Sequence, residues 1–509
     1  MTTTTNPSAP AGTRIAEQSP LRHGRSLLAT RTFQPGELIA TFNRPILALP
    51  DGPGMRTTCN YCLRPSSSPT NPPVLRACTA CHAAVYCGAA CQRAHWKSGV
   101  HKAECAMFAR VRANAGKDWL PTPVRAAVQV LMLLQARDRA VVVAFGPRGS
   151  LEGNVEAFRR DAAVWADFDL QGKASLVYGR LLGTNEMLGR AKEVLCKIQT
   201  NAFNRLDADT GAAGIFLDPG LAMVNHSCVP NAFVSFERRS AMLRAERQIE
   251  VGDEILISYV DYTAPKTARQ EALRLYHFQC DCPRCKDDLD VYQSLALQDP
   301  TSLIRARWSL VQTLVAASTF AVEPLPSAIL AASSLFQTTG GDAKLPYALS
   351  LSCLLATACE PFKLVAPFLP WRVKGVMVIA KLLSATAPLT ASGKLAAVCA
   401  HKGLVGTLAR SDQVSMCEAM LRLVLVWVEM GGGAEEVRRE AKEMLGDIES
   451  LEGRERESEL LRGWAGDLQN KEGRAFFEAV VLAPVRELAG WAVGIMDAEF
   501  GERGEGDGC

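Results

Sequence analysis

The stretch Asn225-His226-Ser227-Cys228-Val229-Pro230-Asn231 interrupts an apolar part of the sequence. Apolar segments flank it at residues 220–224 and 232–236. Polar side chains inside an apolar run need hydrogen-bond partners, because a buried polar group without one is costly. A small ligand and a metal ion would each supply such partners. The stretch is therefore a candidate functional site.

A cysteine cluster, Cys280-Asp281-Cys282-Pro283-Arg284-Cys285, follows further along the chain. Its three thiols and that of Cys228 make four, the number that a closed structural zinc site uses. Between the two motifs, strand-like segments at 242–245 and 255–259 flank a turn at 250–254. Short strands joined by turns favour a small-strand β fold over a parallel α/β fold.

Pairs of potential metal ligands recur between residues 59 and 105. Each pair has the spacing of a zinc knuckle or of one helical turn, so that both side chains can bind the same ion. The pairs are Cys59 and Cys62, Cys78 and Cys81, Cys87 and Cys91, and His101 and Cys105. Eight ligands fill two tetrahedral sites, and spacing alone leaves open which pairs share an ion. A segment with so few large apolar residues needs metal to fold, and zinc supplies about 10–16 kcal/mol in comparable modules.

Composition limits the class of protein. A chain of 509 residues is expected to form two to four domains, and 48% hydrophobic with 21% charged residues is typical of globular proteins. Ten of the seventeen cysteines lie in the two clusters, which favours metal in a reducing compartment over disulfides. No signal peptide is recognised, and no apolar run reaches the roughly 18 residues that span a membrane. We therefore expect an intracellular protein, in the cytoplasm or the nucleus, with no membrane partner.

The order of these motifs resembles the SET and MYND domain-containing (SMYD-type) family of protein lysine methyltransferases. The resemblance rests on the Asn-His-Ser-Cys-x-Pro-Asn motif, on Gly252-Asp253-Glu254 followed by a strand ending in Tyr259, on the 280–285 cluster, and on Gln92-Arg93-Ala94-His95-Trp96-Lys97 after the third cysteine pair. It covers residues 21–285 and implies an α+β protein. A small-strand SET fold would be interrupted by a zinc-bound MYND finger and followed by an all-α C-terminal domain of tetratricopeptide type. Helical spacing after residue 290 favours helices, although the consensus of a 34-residue repeat is not found.

The expected domains follow from this resemblance. They are a disordered tail at 1–13, the N-terminal part of the SET domain at 14–58, the MYND finger at 59–105, a helical insert at 106–200, the SET core at 201–265, a post-SET zinc segment at 266–286, the C-terminal helical domain at 287–503 and a disordered tail at 504–509. Periodicity predicts helices at 124–134, 184–200, 302–318, 376–385, 416–430 and 434–444. Two short strands are expected around the turn Gln34-Pro35-Gly36.

The resemblance also implies three zinc ions with interleaved ligation in the finger. The first ion would bind Cys59, Cys62, Cys87 and Cys91, and the second Cys78, Cys81, His101 and Cys105. The third would bind Cys228, Cys280, Cys282 and Cys285 and hold the post-SET segment over the pocket. His82 and His95 would then not be ligands.

S-adenosyl-L-methionine is the cofactor that the resemblance implies. The segment Gly24-Arg25-Ser26 would cradle it through the main chain, with Ser26 where the family has its second glycine. Asn225 would accept a hydrogen bond from the ammonium group, and the main chain at His226 would hold the adenine. Further cofactor contacts are expected from Asn201 and Phe278.

Tyr259 is the expected catalytic residue, and Tyr276 is expected to line the lysine channel. Taken from the residues alone, each assignment has an ordinary structural alternative. The segment around Gly24 could be a plain hairpin, Asn201 a helix terminator, and the aromatic residues core packing.

The implied function is methylation of lysine side chains in histone or non-histone proteins, with proline-rich peptides as further ligands of the MYND finger. The alternative is a catalytically weak scaffold whose finger and helical domain bind protein partners. A DNA-binding zinc protein would rest only on the finger region, where residues 51–110 contain seven Arg or Lys and two acids. Nucleic acid is therefore not expected as the main partner.

Overall fold

The computed structural model describes residues 9–17, 24–66, 72–116, 119–146, 151–207, 211–262, 264, 266–286, 324–360, 366–432, 435–467 and 470–500. The chain divides into two units. The first contains residues 1–260 and 269–286, and the second contains residues 261–268 and 287–509. The predicted helix at 302–318 and the predicted tail at 504–509 lie outside the described residues, as do residues 1–8 of the predicted N-terminal tail.

The strands of the first unit are two to seven residues long. They are β1 (Thr13–Ala16), β2 (Ser26–Ala29), β3 (Leu38–Phe42), β4 (Leu47–Leu49), β5 (Arg76–Ala77), β6 (Val85–Tyr86), β7 (Phe203–Asp207), β8 (Gly211–Leu217), β9 (Asn225–His226), β10 (Ala232–Glu237), β11 (Ser240–Ala245) and β12 (Leu256–Ile257). The predicted small-strand fold is confirmed by this set. The predicted strand at 255–259 is shorter than expected, because only β12 forms ladder hydrogen bonds.

Strands from the beginning of the chain pair with strands that follow the helical insert. The strand β3 pairs with β11, and β4 pairs with β8, both antiparallel. Close approach at the second pair requires a glycine, since Gly214 has φ +115° and a Cβ there would lie 1.9 Å from the carbonyl oxygen of Leu49. These two pairings place β3 and β4 next to strands that come much later in the sequence. Residues 50–202 lie between β4 and β7.

The two predicted strands around Gln34-Pro35-Gly36 are present, but they do not pair with each other. A turn hydrogen bond joins Glu37 N to Gln34 O at 2.9 Å, as expected. However, β2 pairs with β1, whereas β3 pairs with β11 about 200 residues away. A plain hairpin at this place is therefore wrong, because each strand has a more distant partner.

Nine helices precede residue 287 in the described part of the chain. They are α1 (Ala89–Lys97), α2 (Val100–Ala115), α3 (Thr122–Gln135), α4 (Arg139–Phe145), α5 (Val155–Arg160), α6 (Ala162–Gly179), α7 (Asn185–Asn201), α8 (Lys266–Leu273) and α9 (Pro283–Lys286). The helices α3 to α7 lie in the insert, and α8 crosses the boundary between the two units. The predictions at 124–134 and 184–200 are confirmed by α3 and α7. The start of α7 is fixed by Thr184, whose hydroxyl oxygen accepts a hydrogen bond from Met187 N at 3.2 Å. Short 3₁₀ turns at Pro53–Arg56, Leu221–Met223 and Arg274–Tyr276 complete the unit.

The described part of the second unit contains helices and no strands. Its helices are Pro324–Thr339, Gly341–Leu354, Pro370–Ala391, Lys394–Val398, Lys402–Arg410, Gln413–Gly431, Glu435–Glu449, Glu455–Gly466, Lys471–Phe476, Ala483–Gly490 and Ala492–Phe500, with π-helical turns at Leu355–Cys359 and Phe477–Leu482. The predicted helices at 376–385, 416–430 and 434–444 fall within them. Glu418 is fully buried and accepts hydrogen bonds from Arg422, Arg454 and Ser458, which satisfies its charge.

Two helical runs in the second unit are long and apolar enough to cross a membrane by length and composition. They are Pro370–Ala391 and Lys471–Phe500, with 44% and 39% of the apolar window buried. This is weak evidence for a membrane, because a core helix passes the same test. Neither helical run contains an uninterrupted apolar stretch of about 18 residues, since charged residues such as Lys374 and Lys381 interrupt the apolar sequence.

Candidate functional site

Three groups of cysteine and histidine side chains meet in the first unit. Within each group the ligand atoms lie within 4.8 Å of one another. The first group is Cys59, Cys62, Cys87 and Cys91, the second is Cys78, Cys81, His101 and Cys105, and the third is Cys228, Cys280, Cys282 and Cys285. The structure thus brings together the three sets of four that the resemblance implied, including the interleaved pairs of the finger.

The sulfur separations are those of a tetrahedral thiolate site. Cys62 and Cys87 are 3.6 Å apart, Cys87 and Cys91 are 3.4 Å apart, and Cys228 lies 3.8 Å from Cys280. Four sulfurs at about 2.3 Å from one zinc ion would be about 3.8 Å from each other. A disulfide would require about 2.05 Å, so the described cysteines are free thiols placed to share a cation.

Burial keeps several of these thiols protonated until a cation displaces the proton. It raises the pKa of Cys91 to about 12 and that of Cys105 to about 12. The pKa of Cys228 is also raised, first by the hydrogen bond with the neighbouring thiol of Cys280 and then by burial. A soft cation that binds thiolates would therefore release protons on entry.

His101 and His95 have different environments. The ring of His101 is buried, and among the described residues neither of its nitrogens has a hydrogen-bond partner. A ring nitrogen is therefore available to an ion. Burial also lowers the pKa of His101, which keeps the ring neutral. In contrast, His95 Nδ1 is 3.1 Å from the hydroxyl of Tyr86, and its ring stacks on that of His101. His95 therefore packs against His101 but is not a member of the group, and His82 is exposed and also outside it.

Asn225 joins the beginning of the chain to the turn before β12. Its Nδ2 donates to the carbonyl oxygen of Arg25 at 2.9 Å and to Glu254 Oε1 at 2.7 Å. Within the described part of the chain nothing donates to its Oδ1. The side chain is half-buried, so this oxygen is an acceptor that a ligand ammonium can use.

The segment at Gly24 lies beside the side chain of Asn225, because the next residue, Arg25, accepts the hydrogen bond from Asn225 Nδ2. Gly24 has φ +114°, and a Cβ built there would meet no atom within 4 Å. Open space beside the main chain suits close approach of a ligand. The side chain of Ser26 is fully buried, and its hydroxyl has no hydrogen-bond partner among the described residues. The extra Cβ relative to glycine is therefore accommodated in the core.

Asn201 lies at the C-terminal end of α7. Its Nδ2 donates to the carbonyl oxygens of Glu152 and Lys197, both at 2.7 Å. No described contact connects it with Asn225 or His226. The structure thus places Asn201 in a helix-terminating role and leaves its predicted cofactor contact as a prediction.

Tyr259 is fixed by two hydrogen bonds to the central motif. Its hydroxyl donates to the carbonyl oxygen of Val224 at 2.8 Å, and its main-chain N–H donates to His226 Nδ1 at 3.0 Å. The parallel pairing of β9 with β12 holds the two segments in register. The phenol therefore has one orientation relative to Asn225 and His226.

Aromatic rings surround Tyr259. Its ring centroid lies 4.9 Å from that of Tyr276, 5.3 Å from His226 and 6.4 Å from Phe278. Burial raises the pKa of Tyr276, which keeps this phenol neutral. The rings of Tyr259, Tyr276 and Phe278 are half-buried, so they form an accessible aromatic wall that attracts cations through cation–π interactions. The structure thus unites Gly24, Arg25, Asn225, His226, Tyr259, Tyr276 and Phe278 with the third cysteine group.

Three residues in this region were not predicted from the sequence. Glu254 positions Asn225, and Asn231 ties β12 to the motif by donating to the carbonyl oxygen of Glu254 and accepting from Leu256 N, both at 2.8 Å. Arg269 is fully buried, and its Nη2 lies 3.7 Å from Cys285 Sγ. Asn231 and Glu254 could have been predicted, because the first ends the 225–231 motif and the second lies in the turn before β12. The sequence around Arg269 contains no comparable motif.

Comparisons with known proteins agree with this geometry. Residues 24–260 match the SET domain family model. Over 274 residues the chain is 29% identical to "Histone-lysine N-methyltransferase ASHR1" of Arabidopsis thaliana, which covers 52% of this chain and 53% of that protein. It is 28% identical to "SET domain and MYND-type zinc finger protein 6" of Schizosaccharomyces pombe, covering 52% and 50%, and 28% identical to "Histone-lysine N-methyltransferase SMYD3" of Homo sapiens, covering 54% and 61%.

The chain thus spans about half the length of the first curated relatives it matches. A solved structure, "Structure of Rubisco LSMT bound to AdoMet", aligns over 96% of this chain and 87% of that chain at 13% identity. Its TM-score of 0.29 is too low to support a statement about fold or ligand. The family model and the SMYD-type relatives support the same conclusion as the motifs. Residues 24–260 of this chain therefore match the SET domain family, and the chain is similar to SMYD-type relatives.

Proposed function

We propose that the protein is an S-adenosylmethionine-dependent lysine methyltransferase that acts on protein substrates. One observation carries the proposal: Asn225, anchored on Arg25 and Glu254, lies in the same site as Tyr259 and an accessible aromatic wall. A hydrogen-bond acceptor for an ammonium and aromatic faces for a sulfonium or an amine suit this pair of reactants. The named activities of the relatives support the same reaction class.

The residues present fit the cofactor. Asn225 Oδ1 would accept from its ammonium group, the open main chain at Gly24 would receive its amino-acid part, and Phe278 would pack on its adenine. When bound, S-adenosylmethionine would supply a methyl group activated by a sulfonium. Because the Ser26 side chain is buried in the core, it does not obstruct this arrangement.

The substrate lysine would enter along Tyr259 and Tyr276. Half-buried aromatic walls exclude water and favour the neutral amine, which is the nucleophilic form. The hydroxyl of Tyr259, held by the carbonyl oxygen of Val224, presents its lone pairs in one direction. A fixed phenol oxygen can orient the amine and stabilise positive charge at the methyl group in the transition state.

Each of the three cysteine groups would bind one zinc ion. Thiolate with imidazole is the ligand set that zinc prefers in structural sites, and all four positions are filled by protein, so these ions would be structural. The first two groups would form a MYND finger, for which proline-rich peptides are the proposed ligands. We further propose an intracellular location in the cytoplasm or nucleus, supported by free thiols throughout the described residues.

The proposal is tested by calorimetric titration of zinc-loaded protein with S-adenosylmethionine, followed by methyl transfer to a panel of lysine-containing proteins. We compare wild type with Asn225→Ala and Tyr259→Phe. We expect saturable binding in wild type and in Tyr259→Phe, and loss of binding in Asn225→Ala. No binding by well-folded wild type would overturn the enzyme, and the chain would then be a scaffold that acts through its finger.

A further inference from the structure

His226 lies between the third cysteine group and Tyr259. Its Nδ1 is 3.0 Å from the main-chain nitrogen of Tyr259, and its Nε2 is 3.4 Å from Cys228 Sγ. The ring is 2% exposed, so no bulk water competes for either nitrogen. Both neighbours thus contact one imidazole that cannot reorient without breaking a buried hydrogen bond.

The chemistry of the two neighbours fixes the tautomer. A main-chain N–H can only donate, so His226 Nδ1 must be the acceptor and carries no proton. In the neutral ring the proton is then on Nε2, which donates to Cys228 Sγ. A thiolate accepts this hydrogen bond far better than a neutral thiol does, because the donor faces a negative charge.

The third group needs such donors more than the others do. Four thiolates around a divalent cation have a net charge of −2, and all four cysteines of this group are buried. In the first group, Cys62, Cys87 and Cys91 are half-buried and can be hydrated. The second group includes a neutral imidazole, which reduces the charge. In the third group the negative charge of the thiolates would instead be stabilised by two buried side chains. These are His226, which contacts Cys228 Sγ, and Arg269, whose guanidinium lies near Cys285 Sγ.

We propose that His226 is a positioning residue that couples metal occupancy of the third group to the placement of Tyr259. A thiolate held by a bound ion would orient the imidazole through Nε2, and the imidazole would then hold the Tyr259 main chain through Nδ1. The inference rests on the proposed function for its catalytic consequence, but the coupling itself is a property of the metal-loaded fold.

Two variants separate the two hydrogen bonds. The amide of His226→Asn reaches the position of Nδ1 and keeps an acceptor for Tyr259 N–H, while it loses the donor to Cys228. The longer amide of His226→Gln reaches the position of Nε2 and keeps that donor, while it loses the acceptor. The control is His82→Asn, an exposed histidine with φ +56°, a conformation that asparagine tolerates.

Zinc release to a chromogenic chelator is the first readout, and it does not depend on methyl transfer. Because Cys282→Ser removes a ligand of the third group only, this variant identifies the kinetic phase in which that group releases its zinc. We expect release from that group to be about 10-fold faster in His226→Asn and near wild type in His226→Gln and His82→Asn. We expect turnover with a methyl acceptor to fall in His226→Gln although its zinc is retained.

Equal zinc release from wild type and His226→Asn would overturn the proposal. If both variants fail to fold, nitrogen NMR of histidine-labelled wild type decides, because a His226 signal of the Nδ1–H tautomer or of an imidazolium in zinc-loaded protein contradicts it. Absence of turnover in every form, together with the expected split in zinc release, would reject the methyltransferase and leave the coupling intact.

Discussion

Arg125 donates from Nε and Nη2 to the two carboxylate oxygens of Glu104, at 2.6 Å and 3.0 Å. Both side chains are 1% exposed. Glu104 is on α2, three residues after His101 and next to Cys105, so it lies on the helix that supplies two ligands of the second group. Arg125 is on α3 in the helical insert. The ion pair thus joins the finger to the insert.

We expect Glu104→Gln to destabilise the first unit by about 3–5 kcal/mol, since it leaves the Arg125 charge buried without a counterion. The free energy of unfolding from denaturant titration measures this. The matched control is Glu156→Gln, which removes an exposed pair with Arg159 and should cost about 1 kcal/mol or less. Equal effects of the two substitutions would show that the buried pair does not stabilise the junction of finger and insert.

Tyr259→Phe removes the hydroxyl that donates to the Val224 carbonyl oxygen. We expect methyl transfer to fall by about 100-fold to 1,000-fold, because a preorganised polar group next to the reacting atoms is lost, while affinity for S-adenosylmethionine is unchanged. Single-turnover methyl transfer with radiolabelled cofactor measures the effect. Tyr347→Phe, which removes a hydroxyl in the second unit, serves as the control. Undiminished turnover in Tyr259→Phe would remove Tyr259 from the chemistry.

Glu246 gives the protein a pH-dependent stability. Burial raises the pKa of this carboxyl to about 7 from an ordinary value of 4.5. The folded state then binds more protons than the unfolded state between these values, so the contribution of this group to stability falls as the pH rises from 4.5 to about 7. We expect Glu246→Gln to match wild type near the lower pH and to be about 3 kcal/mol more stable above the higher one.

Thermal unfolding of wild type and Glu246→Gln across this pH range tests the expectation. Glu37→Gln is the control, because hydrogen bonds with the Gln34 main chain and with Arg31 lower the pKa of Glu37. That carboxyl stabilises the fold above its ordinary pKa and loses its contribution on acidification, so its replacement gives no gain at high pH. A pH-independent difference for Glu246→Gln would contradict the assignment.

Metal retention should weaken as the pH falls. Because burial raises the pKa of Cys91 and Cys105 to about 12, protons compete with the cation for these sulfurs throughout the neutral range. We therefore expect zinc affinity to decrease on acidification and zinc binding to release protons, which calorimetry in buffers of different ionisation enthalpy measures. Zinc binding without proton release would mean that the thiols are already ionised in the apo protein.

The sequence predicted those features that depend on local spacing. The ligand pairs and α7 were found because their signals lie within a few residues, and Thr184 marks the helix start. The pairing of β3 with β11 was missed, since its signal is divided between residues about 200 positions apart. The contacts of Asn225 with Arg25 and of Arg269 with Cys285 likewise exist only after the chain has folded.

The interleaved order of the ligands has a consequence for biosynthesis. Cys59, Cys62, Cys78 and Cys81 leave the ribosome before Cys87 and Cys91, so four thiols of two different sites are exposed together first. Cys105, the last of the correct partners, comes 24 residues after Cys81 and so follows within roughly one to five seconds at about 5–20 residues per second. A nascent chain that captures zinc early would hold a mispaired set, which must exchange ligands before the finger can fold. Protein made under zinc excess should therefore contain more kinetically trapped chains than protein supplied with zinc after synthesis.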